Sequence, residues 1–527
     1  EQLGVDILWL SPVYPSPMVD NGYDISDYEN IDPRFGTLED MDRLIAEAKK
    51  RNISIIMDLV VNHCSDQHAW FQKAIADPKG PYGEYFYLKE GKDGKEPNNW
   101  RSYFGGSVWE KLPGQDNLYY YHAYAKQQPD LNWENPVLRE EIYKMVNWWL
   151  DRGIAGFRID AIINIKKDLT WEDLPVDGPD GRGFLTNSIT RMQKRDGGTK
   201  NGIGVFLREL KERCFAPHDA FTVGEVFEVD REQLEEFIGE DGYFSTMFAF
   251  DPIQSYKKGT CQCEFDRNMN PDEWKRDVFV NQKLLGDIAF EANIIENHDM
   301  ARGATIYIPD EDYGFASVSA LAGLQVLQRG MPFLYQGQEI GMTNCPFELE
   351  DIDDIMTLDN YRYAVACGFP EEKAFAGCAR ESRDNARTPM QWSDAENAGF
   401  TTGKPWLKVN PNYPEINVAR QEKEYGSVLN FYRRLLCFRK SEEYRDLLTY
   451  GIFEPMYEDQ EKIFVFKRWL GKQCLTVICN ESPAERFLTL KEDYEEVVFV
   501  NLPQVTRIGD NLILHPYQLI VVETTKK

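Results

Sequence analysis

Three apolar runs of this chain end in ionisable side chains, and this feature constrains the fold more than any other in the sequence. The first run, IAGFRIDA, carries Arg158 and Asp160 near its carboxyl end. The second, FTVGEV, ends near Glu225, and the third, ANIIENHD, ends in His298 and Asp299. A buried strand of a parallel sheet stays apolar along its length, so charges at its end indicate the mouth of a barrel. The sequence therefore predicts an α/β barrel that assembles a site from carboxylates far apart in the chain.

Eight motifs extend this pattern into a family resemblance. Four of them, DLVVNH, GFRIDA, GEV and ENHD, resemble the four ordered motifs of the α-amylase superfamily of glycoside hydrolases, family 13. The other four resemble its oligo-1,6-glucosidase and α-glucosidase branch, and they are DNGYDISDY, QPDLNW, YQGQEIGM and RDNARTPMQW. The matches follow the family's order from Leu3 to about Trp392. Eight motifs in register are far more specific than any one of them.

The resemblance implies a TIM-type (β/α)8 barrel with a small domain inserted after strand 3 and a C-terminal antiparallel β-sandwich. Residues 1–64 and 130–444 are the expected barrel, and residues 65–129, dense in Tyr, Trp, Gly and Pro, are the expected lobe beside the active site. Residues 445–527 alternate short apolar runs with turn residues, which is typical of antiparallel strands. The opening EQLGVDILWLSP is typical of a helix end followed by a strand, so we expect the family's first βα unit upstream of residue 1.

Hydrophobic periodicity predicts seven barrel strands and the helices between and after them. The expected strands are Val5–Leu10, Ile53–Val61, the IAGFRIDA run, Phe221–Gly224, about Ser245–Phe250, a run ending at Asn297, and Met331–Tyr335. The clearest expected helices are Leu38–Arg51, Pro136–Arg152, Val205–Cys214, Gly314–Gly330 and Glu422–Leu436. Alternation of strands with helices is the pattern of a parallel barrel.

Composition restricts the partners and the compartment of the chain. A net charge of −28 over 527 residues argues against nucleic acid and an anionic membrane as partners, because both require a basic surface. Ten cysteines are scattered without paired metal-ligand spacing, so we expect reduced thiols and a cytoplasmic protein. No apolar run is long enough to span a bilayer. We expect a monomer.

The resemblance assigns catalytic roles to three carboxylates. Asp160 is the expected nucleophile, and Glu225 is the expected general acid and then general base. Asp299 is expected to hold sugar hydroxyls, most strongly in the transition state. Arg158, two residues before Asp160 on the same strand face, is expected to lower the pKa of the Asp160 carboxyl. Arg158 and Asp160 could instead form a structural salt bridge, but this leaves unexplained why two further strands end in the same way.

The resemblance also implies a set of substrate-binding residues. They are Asp20, Tyr23, His63, Phe104, Tyr124, Gln128, Arg158, Ala161, Phe227, His298 and Arg383. In the exo-acting branch, the positions of Asp20 and Arg383 close the pocket behind the non-reducing glucose, so only a terminal unit fits. From the residues alone, Asp20 could cap its own turn and Arg383 could pair with Asp384 in a loop.

The expected function is that of an exo-acting retaining α-glucosidase. Double displacement through a covalent glucosyl-enzyme would release α-glucose from short α-glucosides of the isomaltose type and the maltose type. Family members that prefer α-1,6 bonds tend to carry Val after the nucleophile, and those that prefer α-1,4 bonds tend to carry Thr. Ala161 is smaller than either, so we expect a broadened linkage preference. No cofactor is expected, and the family's calcium-binding loop, where present, belongs to the upstream segment.

Two other enzyme classes and one non-enzyme class share most of the motifs. A trehalose-6-phosphate hydrolase needs a basic patch at the pocket entrance, and a sucrose isomerase or transglucosidase has a loop pattern that RDNARTPMQW does not resemble. Barrel domains of amino-acid transporter heavy subunits are non-catalytic partners that carry a transmembrane helix and tend to lose the catalytic carboxylates. This chain keeps all three carboxylates, so we expect an enzyme that binds small α-glucoside oligosaccharides.

Overall fold

The computed structural model describes residues 1–196, 202–227, 231–254, 256–257, 262–490 and 494–524. The chain forms two compact units. The first comprises residues 5–247 with residues 1 and 365–368, and the second comprises residues 2–4, 248–364 and 369–527. Within the described ranges, no helix has the length and apolar character needed to cross a membrane.

The described residues alternate strands and helices in the first half and end in a run of strands. The strands are β1 (Ile7–Trp9), β2 (Ser54–Val60), β3 (Leu88–Glu90), β4 (Trp100–Arg101), β5 (Trp109–Lys111), β6 (Leu118–Tyr121), β7 (Gly156–Asp160), β8 (Gly183–Phe184), β9 (Phe221–Gly224), β10 (Thr246–Met247), β11 (Ala292–Asn293), β12 (Met331–Pro332), β13 (Ile452–Met456), β14 (Ile463–Leu470), β15 (Gln473–Asn480), β16 (Arg486–Thr489), β17 (Glu496–Val500), β18 (Thr506–Ile508), β19 (Asn511–Leu514) and β20 (Leu519–Glu523). The helices are α1 (Leu38–Lys49), α2 (Ala69–Ala76), α3 (Pro136–Arg152), α4 (Thr186–Asp196), α5 (Ile203–Leu210), α6 (Arg231–Ile238), α7 (Pro271–Leu285), α8 (Gly303–Tyr307), α9 (Phe315–Leu327), α10 (Ile355–Ala366), α11 (Glu371–Glu381), α12 (Asp384–Arg387), α13 (Val418–Gln421), α14 (Val428–Arg439) and α15 (Arg445–Tyr450).

A parallel five-stranded sheet organises the first unit, in the spatial order β1, β2, β7, β9 and β10. Gly156 opens β7 with φ +151°, and a Cβ there would lie 1.8 Å from the carbonyl oxygen of Phe221 on β9, so only glycine fits. Because the strands are parallel, their carboxyl ends share one edge of the sheet. Asp160 at the end of β7 and Glu225 directly after β9 therefore lie at this edge.

Capping residues define the ends of two helices of the first unit, α1 and α3. Helix α1 starts at a capping box in which the side chains of Thr37 and Asp40 each accept a backbone N–H. Asn135 caps α3, Pro136 is its first residue, and Gly153 ends it with φ +104°. The predicted bounds of α3 are confirmed, and α1 is slightly shorter than predicted.

The aromatic segment after β2 forms small sheets of its own. Strands β3, β6 and β5 make an antiparallel sheet, and β4 pairs with β8 in parallel. The core beneath them contains Trp100, Trp109 and Tyr121, together with Trp171 from farther along the chain. Several aromatic side chains of this lobe therefore belong to its own core.

The second unit contains the last two expected barrel strands, β11 and β12, which pair in parallel. All seven predicted strands are thus present, and most are shorter than their apolar runs. Helix α9 is buried on almost every side, as its nearly unbroken apolar sequence requires. Helix α14 begins at Val428, later than predicted, because Ser427 caps it by accepting from the backbone N–H of Asn430 at 3.2 Å.

Two antiparallel sheets form the C-terminal part of the chain. The larger has the order β13, β14, β15, β20 and β17, and the smaller has the order β16, β19 and β18. Both sheets contribute to one apolar cluster, which includes Val465 and Ile478 from the larger sheet and Leu488 and Leu512 from the smaller. The nine described cysteines are free thiols, and Cys261 lies outside the described residues. The division of the chain into three domains at residues 65, 130 and 445 stays a prediction.

Candidate active site

One buried guanidinium joins the carboxylates at the carboxyl edge of the first unit's sheet. Nη1 of Arg158 donates to Oδ1 of Asp160 at 2.6 Å and to Oδ1 of Asp58 at 2.9 Å. Nη2 of Arg158 lies 3.0 Å from Oε2 of Glu225. Arg158 and Asp58 are fully buried, and Asp160 is nearly so. Two of the predicted catalytic carboxylates therefore share one cation in a place where little water screens their charges.

Asp58 is a third carboxylate of this cluster, and the sequence did not predict its role. It lies on β2 directly opposite Arg158 on β7. Its Oδ2 accepts from the indole Nε1 of Trp9 at 3.2 Å and from the hydroxyl of Tyr23 at 2.9 Å. These bonds fix Asp58, and Asp58 in turn fixes the guanidinium. Tyr23, predicted as a substrate-binding residue, thus contacts the cluster through its hydroxyl.

The charges of the cluster do not balance, because three carboxylates surround one guanidinium. Burial raises the pKa of the Asp160 carboxyl well above its usual value, Arg158 opposes this, and Glu225 and Asp58 add to the rise. Arg158 acts in the predicted direction, but the net shift is the opposite of the one predicted. The Asp160–Glu225 pair therefore retains a proton at a pH at which an isolated carboxyl group would have lost it.

Glu225 is held by a backbone donor from the residue after Asp160. The N–H of Ala161 donates to Oε2 of Glu225 at 2.8 Å, and Nη2 of Arg158 approaches the same oxygen. Ala161 has φ 45° and ψ 32°, in the left-handed region that few residues other than glycine adopt. Because Oε2 faces two donors, an acidic proton on Glu225 belongs on Oε1.

A second buried group links three predicted substrate-binding residues of the first unit. Nε2 of Gln128 donates to Oδ2 of Asp20 at 3.1 Å. Nε2 of His63 lies 3.1 Å from the carbonyl oxygen of Tyr23 and 3.1 Å from Nε2 of Gln128. Burial lowers the pKa of His63, which keeps its ring neutral near neutral pH. These residues form a fixed polar surface with one carboxylate, that of Asp20.

Aromatic rings pack beside this polar group. The ring of Tyr124 stacks on Tyr103 at a centroid distance of 5.0 Å and meets Phe104 edge-on at 5.4 Å. Tyr124 also packs against His63 at 5.3 Å. Tyr124 thus contacts His63, and Phe104 lies beside Tyr124; their role in substrate binding stays a prediction. Phe227 follows β9 and is 38% exposed.

The three predicted site residues of the second unit also cluster. Oδ1 of Asp299 accepts from Nη2 of Arg387 at 2.9 Å and from Nη1 of Arg383 at 3.3 Å. Oδ2 of Asp299 lies 2.9 Å from Nε2 of His298. Burial acts to raise the pKa of Asp299, but His298, Arg383 and Arg387 together hold it well below its usual value. Asp299 is therefore ionised throughout the physiological pH range.

Arg383 is fixed by a buried carboxylate that the sequence did not single out. Its Nε and Nη2 both donate to Oδ1 of Asp354, at 2.9 and 2.6 Å. Asp354 is fully buried, and the side chain of Asp384 instead accepts the backbone N–H of Asp353 at 2.8 Å and of Asp354 at 3.0 Å. The guanidinium of Arg383 is thereby held between Asp354 and Asp299.

Comparison with known proteins gives the family. The family model of the α-amylase catalytic domain matches residues 1–451. This chain belongs to the α-amylase family. An oligo-1,6-glucosidase from Halalkalibacterium halodurans is 40% identical over 511 residues, which are 94% of this chain and 88% of that protein. A glucan 1,6-alpha-glucosidase from Streptococcus pneumoniae is 39% identical over 526 residues, 99% of this chain and 92% of that protein.

Solved structures place this α-amylase family member among enzymes of the same architecture. The crystal structure of a trehalulose synthase from Pseudomonas mesoacidophila MX-45 matches with a TM-score of 0.89 at 36% identity, over 100% of this chain and 93% of that one. The chain is therefore a glycoside hydrolase with the family's TIM-barrel fold and a C-terminal sheet domain.

A buried lysine network lies next to the His63 motif in this family member. Nζ of Lys167 lies 2.5 Å from Oδ2 of Asp130 and donates to Oδ1 of Asn62 at 2.7 Å, and Asn62 donates to Asp130 at 3.0 Å. The motifs of the sequence contain Asn62 and Asp130, but they did not predict a role for either residue. Asp58 and Asn62 flank the apolar run LVV in DLVVNH, and this position could have marked both of them. The described residues contain no group of three or more His, Cys, Asp or Glu side chains placed to bind a metal ion.

Proposed function

We propose that this α-amylase family member is an exo-acting retaining α-glucosidase that releases α-glucose from the non-reducing end of short isomaltose-type and maltose-type glucosides. The observation that carries the proposal is the pairing of Asp160 and Glu225 with Nη1 and Nη2 of Arg158. Retaining enzymes hold their two carboxyl groups about 5–5.5 Å apart, and inverting enzymes roughly 6.5–9.5 Å apart. Two carboxylates that share one guanidinium favour the shorter separation.

In the first step, Asp160 attacks the anomeric carbon while Glu225 protonates the leaving oxygen. Oδ1 of Asp160 accepts from Arg158, so Oδ2 is the attacking atom. Oε2 of Glu225 accepts from Ala161, so Oε1 delivers the proton. The bond from the anomeric carbon to the leaving oxygen breaks as the ester to Asp160 forms, and the products are a free alcohol and a β-glucosyl ester.

In the second step, water replaces Asp160 at the anomeric carbon. Glu225, now ionised, removes one proton from the water as its oxygen bonds to the anomeric carbon, and the ester bond to Asp160 breaks. Two inversions leave glucose in the α configuration. The retained proton of the Asp160–Glu225 pair suits this cycle, since each step moves a single proton to or from Glu225.

The remaining site residues bind the glucose unit. We propose that Asp299 holds sugar hydroxyls as an ionised acceptor and that His298 and Arg383 act beside it. Its lowered pKa supports the role, because an ionised carboxylate forms the stronger hydrogen bonds to hydroxyl groups. Asp20, held by Gln128, supplies a carboxylate for the far hydroxyls of a terminal glucose. These two carboxylates give the reason to propose exo action.

We also propose a domain arrangement and a cellular compartment for the enzyme. The aromatic lobe at 65–129 walls one side of the pocket, with Phe104 and Tyr124 facing the sugar. The paired sheets of residues 445–527 form a β-sandwich over their shared apolar cluster. A cytoplasmic, monomeric enzyme without a required cofactor is proposed, and the free thiols of the described cysteines support the reducing compartment.

Product analysis tests the function directly. The purified protein is incubated with isomaltose, maltose, sucrose and trehalose 6-phosphate, and the products are separated by thin-layer chromatography. We expect glucose as the product from isomaltose and maltose, with Asp160→Asn as the inactive control. Fast turnover of trehalose 6-phosphate alone, or conversion of sucrose into an isomer without glucose, would replace the proposal by one of the two alternative classes.

A further inference from the structure

We propose that Asp24 is a positioning residue that sets the place of Asp20, and hence the affinity for the terminal glucose. The inference rests on the proposed function, in which Asp20 binds the far hydroxyls of that glucose. Asp24 is fully buried, and its carboxylate bonds to the loop that carries Asp20. It therefore acts on the sugar through Asp20.

Three donors of the loop converge on the Asp24 carboxylate. Oδ1 accepts from the hydroxyl of Ser16 at 3.0 Å and from the backbone N–H of Asp20 at 3.1 Å. Oδ2 accepts from the backbone N–H of Val19 at 3.0 Å. A carboxylate is the side chain suited to this place, because both of its oxygens accept and neither donates when it is ionised.

The loop needs such an internal anchor, because its backbone is in conformations that residues other than glycine seldom adopt. Met18 has φ 67° and Asn21 has φ 51°, on either side of Asp20. Gly22 follows with φ +106°, and a Cβ there would lie 3.2 Å from the carbonyl oxygen of Pro12. The Asp24 carboxylate satisfies the N–H groups that this path turns inward.

Asp20 is thus held from two directions by different residues. Asp24 fixes its backbone N–H, and Gln128 fixes its side-chain Oδ2 at 3.1 Å. Gln128 lies close to His63, so the second hold belongs to the site already described. The carbonyl oxygen of Asp20 also accepts from the backbone N–H of Tyr23 at 2.9 Å. Asp24 is thus the side chain that positions the Asp20 backbone through its N–H group.

The test is a double-mutant cycle read out by the inhibition constant for glucose. Asp24→Asn leaves one carbonyl oxygen and one NH2 group where two acceptors were, so at least one loop donor loses its partner. We expect the inhibition constant for glucose and the KM for isomaltose to rise about tenfold, with kcat changed far less. In an Asp20→Asn background, Asp24→Asn should cause no further rise, because its effect passes through Asp20.

The matched control is Asp27→Asn, an exposed aspartate of the same segment, which should leave all constants unchanged. Additive effects of Asp20→Asn and Asp24→Asn on the inhibition constant, or a loss confined to kcat, would overturn the positioning role. If Asp24→Asn does not fold, Ser16→Ala removes only one donor, and its smaller rise must likewise vanish in the Asp20→Asn background. An unmodified enzyme that neither hydrolyses isomaltose nor binds glucose would refute the proposed function itself, and this inference with it.

Discussion

The backbone N–H of Ala161 donates to Oε2 of Glu225 at 2.8 Å, so the residue that follows the proposed nucleophile holds the proposed acid. Ala161 makes this bond from the left-handed region, where a residue with a Cβ is less stable by about 1–2 kcal/mol. Strain of this kind persists where the surrounding structure enforces it, and it is concentrated at functional sites. Ala161 therefore connects the placement of the acid with local backbone strain.

Replacing Ala161 by Val should change both linkage preference and stability. The branched side chain crowds the position next to the scissile bond, so we expect the maltose activity to fall more than the isomaltose activity, by up to about 3 kcal/mol in kcat/KM. A β-branched residue also tolerates φ 45° poorly, so the melting temperature should drop. The measurement is the ratio of kcat/KM for isomaltose and maltose in both proteins.

Ala161→Gly is the control for this experiment. Glycine keeps the backbone N–H that donates to Glu225 and adopts the left-handed region without strain. It should therefore retain activity and melt no lower than the unmodified protein. An isomaltose-to-maltose ratio that is the same in the Val variant and the unmodified enzyme would mean that Ala161 does not control linkage choice.

Asp160→Asn and Glu225→Gln should each abolish turnover while the protein stays folded. Each change removes one partner of the double displacement, which should reduce kcat by several orders of magnitude. Initial rates with isomaltose and thermal melting of each variant make the comparison. Asp116→Asn, at an exposed position, is the matched control and should be fully active. Near-normal turnover by the Asp160 variant would remove it from the role of nucleophile.

Arg158→Lys should inactivate the enzyme because it disrupts the ion pairs of Arg158 with Asp160 and Glu225. One ammonium group cannot reproduce the two nitrogens that pair with Asp160 and Glu225, so kcat/KM should fall by at least about 100-fold. The pKa of Asp160, already raised by burial, should rise further once its cation moves away. The acidic limb of the pH profile of kcat/KM should therefore shift to higher pH.

Arg420→Lys is the control for the arginine experiment, since the exposed Arg420 pairs with the exposed Glu424 at 3.1 Å. This pair lies on the surface, where replacement of arginine by lysine has little effect. The two variants differ only in which arginine is changed. A pH profile of Arg158→Lys that keeps its acidic limb in place would show that Arg158 does not control the protonation of the nucleophile.

The sequence predicted the fold better than it predicted the hydrogen bonds and ion pairs of the site. The bounds of Phe221–Gly224 and Pro136–Arg152 follow from local features: a short apolar run, an Asn cap, Pro at the first turn and Gly at the end. The pairing of Asp58 with Arg158 could not be predicted, because their separation of 100 residues is bridged only by the register of two strands. The left-handed backbone of Ala161 is likewise set by packing and not by its own preference.

The contact of Asp354 with Arg383 in the second unit could not be predicted from the sequence either. Asp354 lies just before α10, in a segment of the sequence that offered no clear periodicity, and its contact with Arg383 depends on the packing of that segment. The net direction of the Asp160 pKa shift could not be predicted either. It depends first on the burial of the carboxyl group and then on the carboxylates around Arg158, and the sequence revealed neither the depth of burial nor the third carboxylate.

Two buried glutamates should make the protein less stable as the pH rises toward neutrality. Burial raises the pKa of Glu291 and of Glu481 to about 7, although Asn281 and Cys479, respectively, bond to them. A carboxyl group whose pKa is higher in the folded state contributes stability below its unfolded pKa, about 4.5, and loses it as the pH passes 7. Each shift corresponds to about 3 kcal/mol at most.

Glu291→Gln removes this titration and keeps an amide oxygen for Asn281. We therefore expect the variant to melt a few degrees above the unmodified protein at pH 8, and the difference to disappear near pH 4.5. Scanning calorimetry across this range provides the measurement. The control is Glu110→Gln, at a partly exposed residue of β5. If the melting temperatures of the Glu291 variant and the unmodified protein change with pH in parallel, burial does not hold the Glu291 carboxyl in its protonated form.

Trapping the glucosyl ester on Asp160 tests the proposed double displacement at its first step. An α-glucosyl fluoride with a second fluorine on C5 forms the ester readily through its good leaving group and releases it slowly, because the fluorine opposes positive charge at the anomeric carbon. Peptide mass spectrometry should place the sugar on the peptide that contains Asp160, and isomaltose added during the reaction should protect it. Label on a different carboxylate, or complete turnover of the reagent to β-configured 5-fluoroglucose without any label, would be incompatible with double displacement through Asp160.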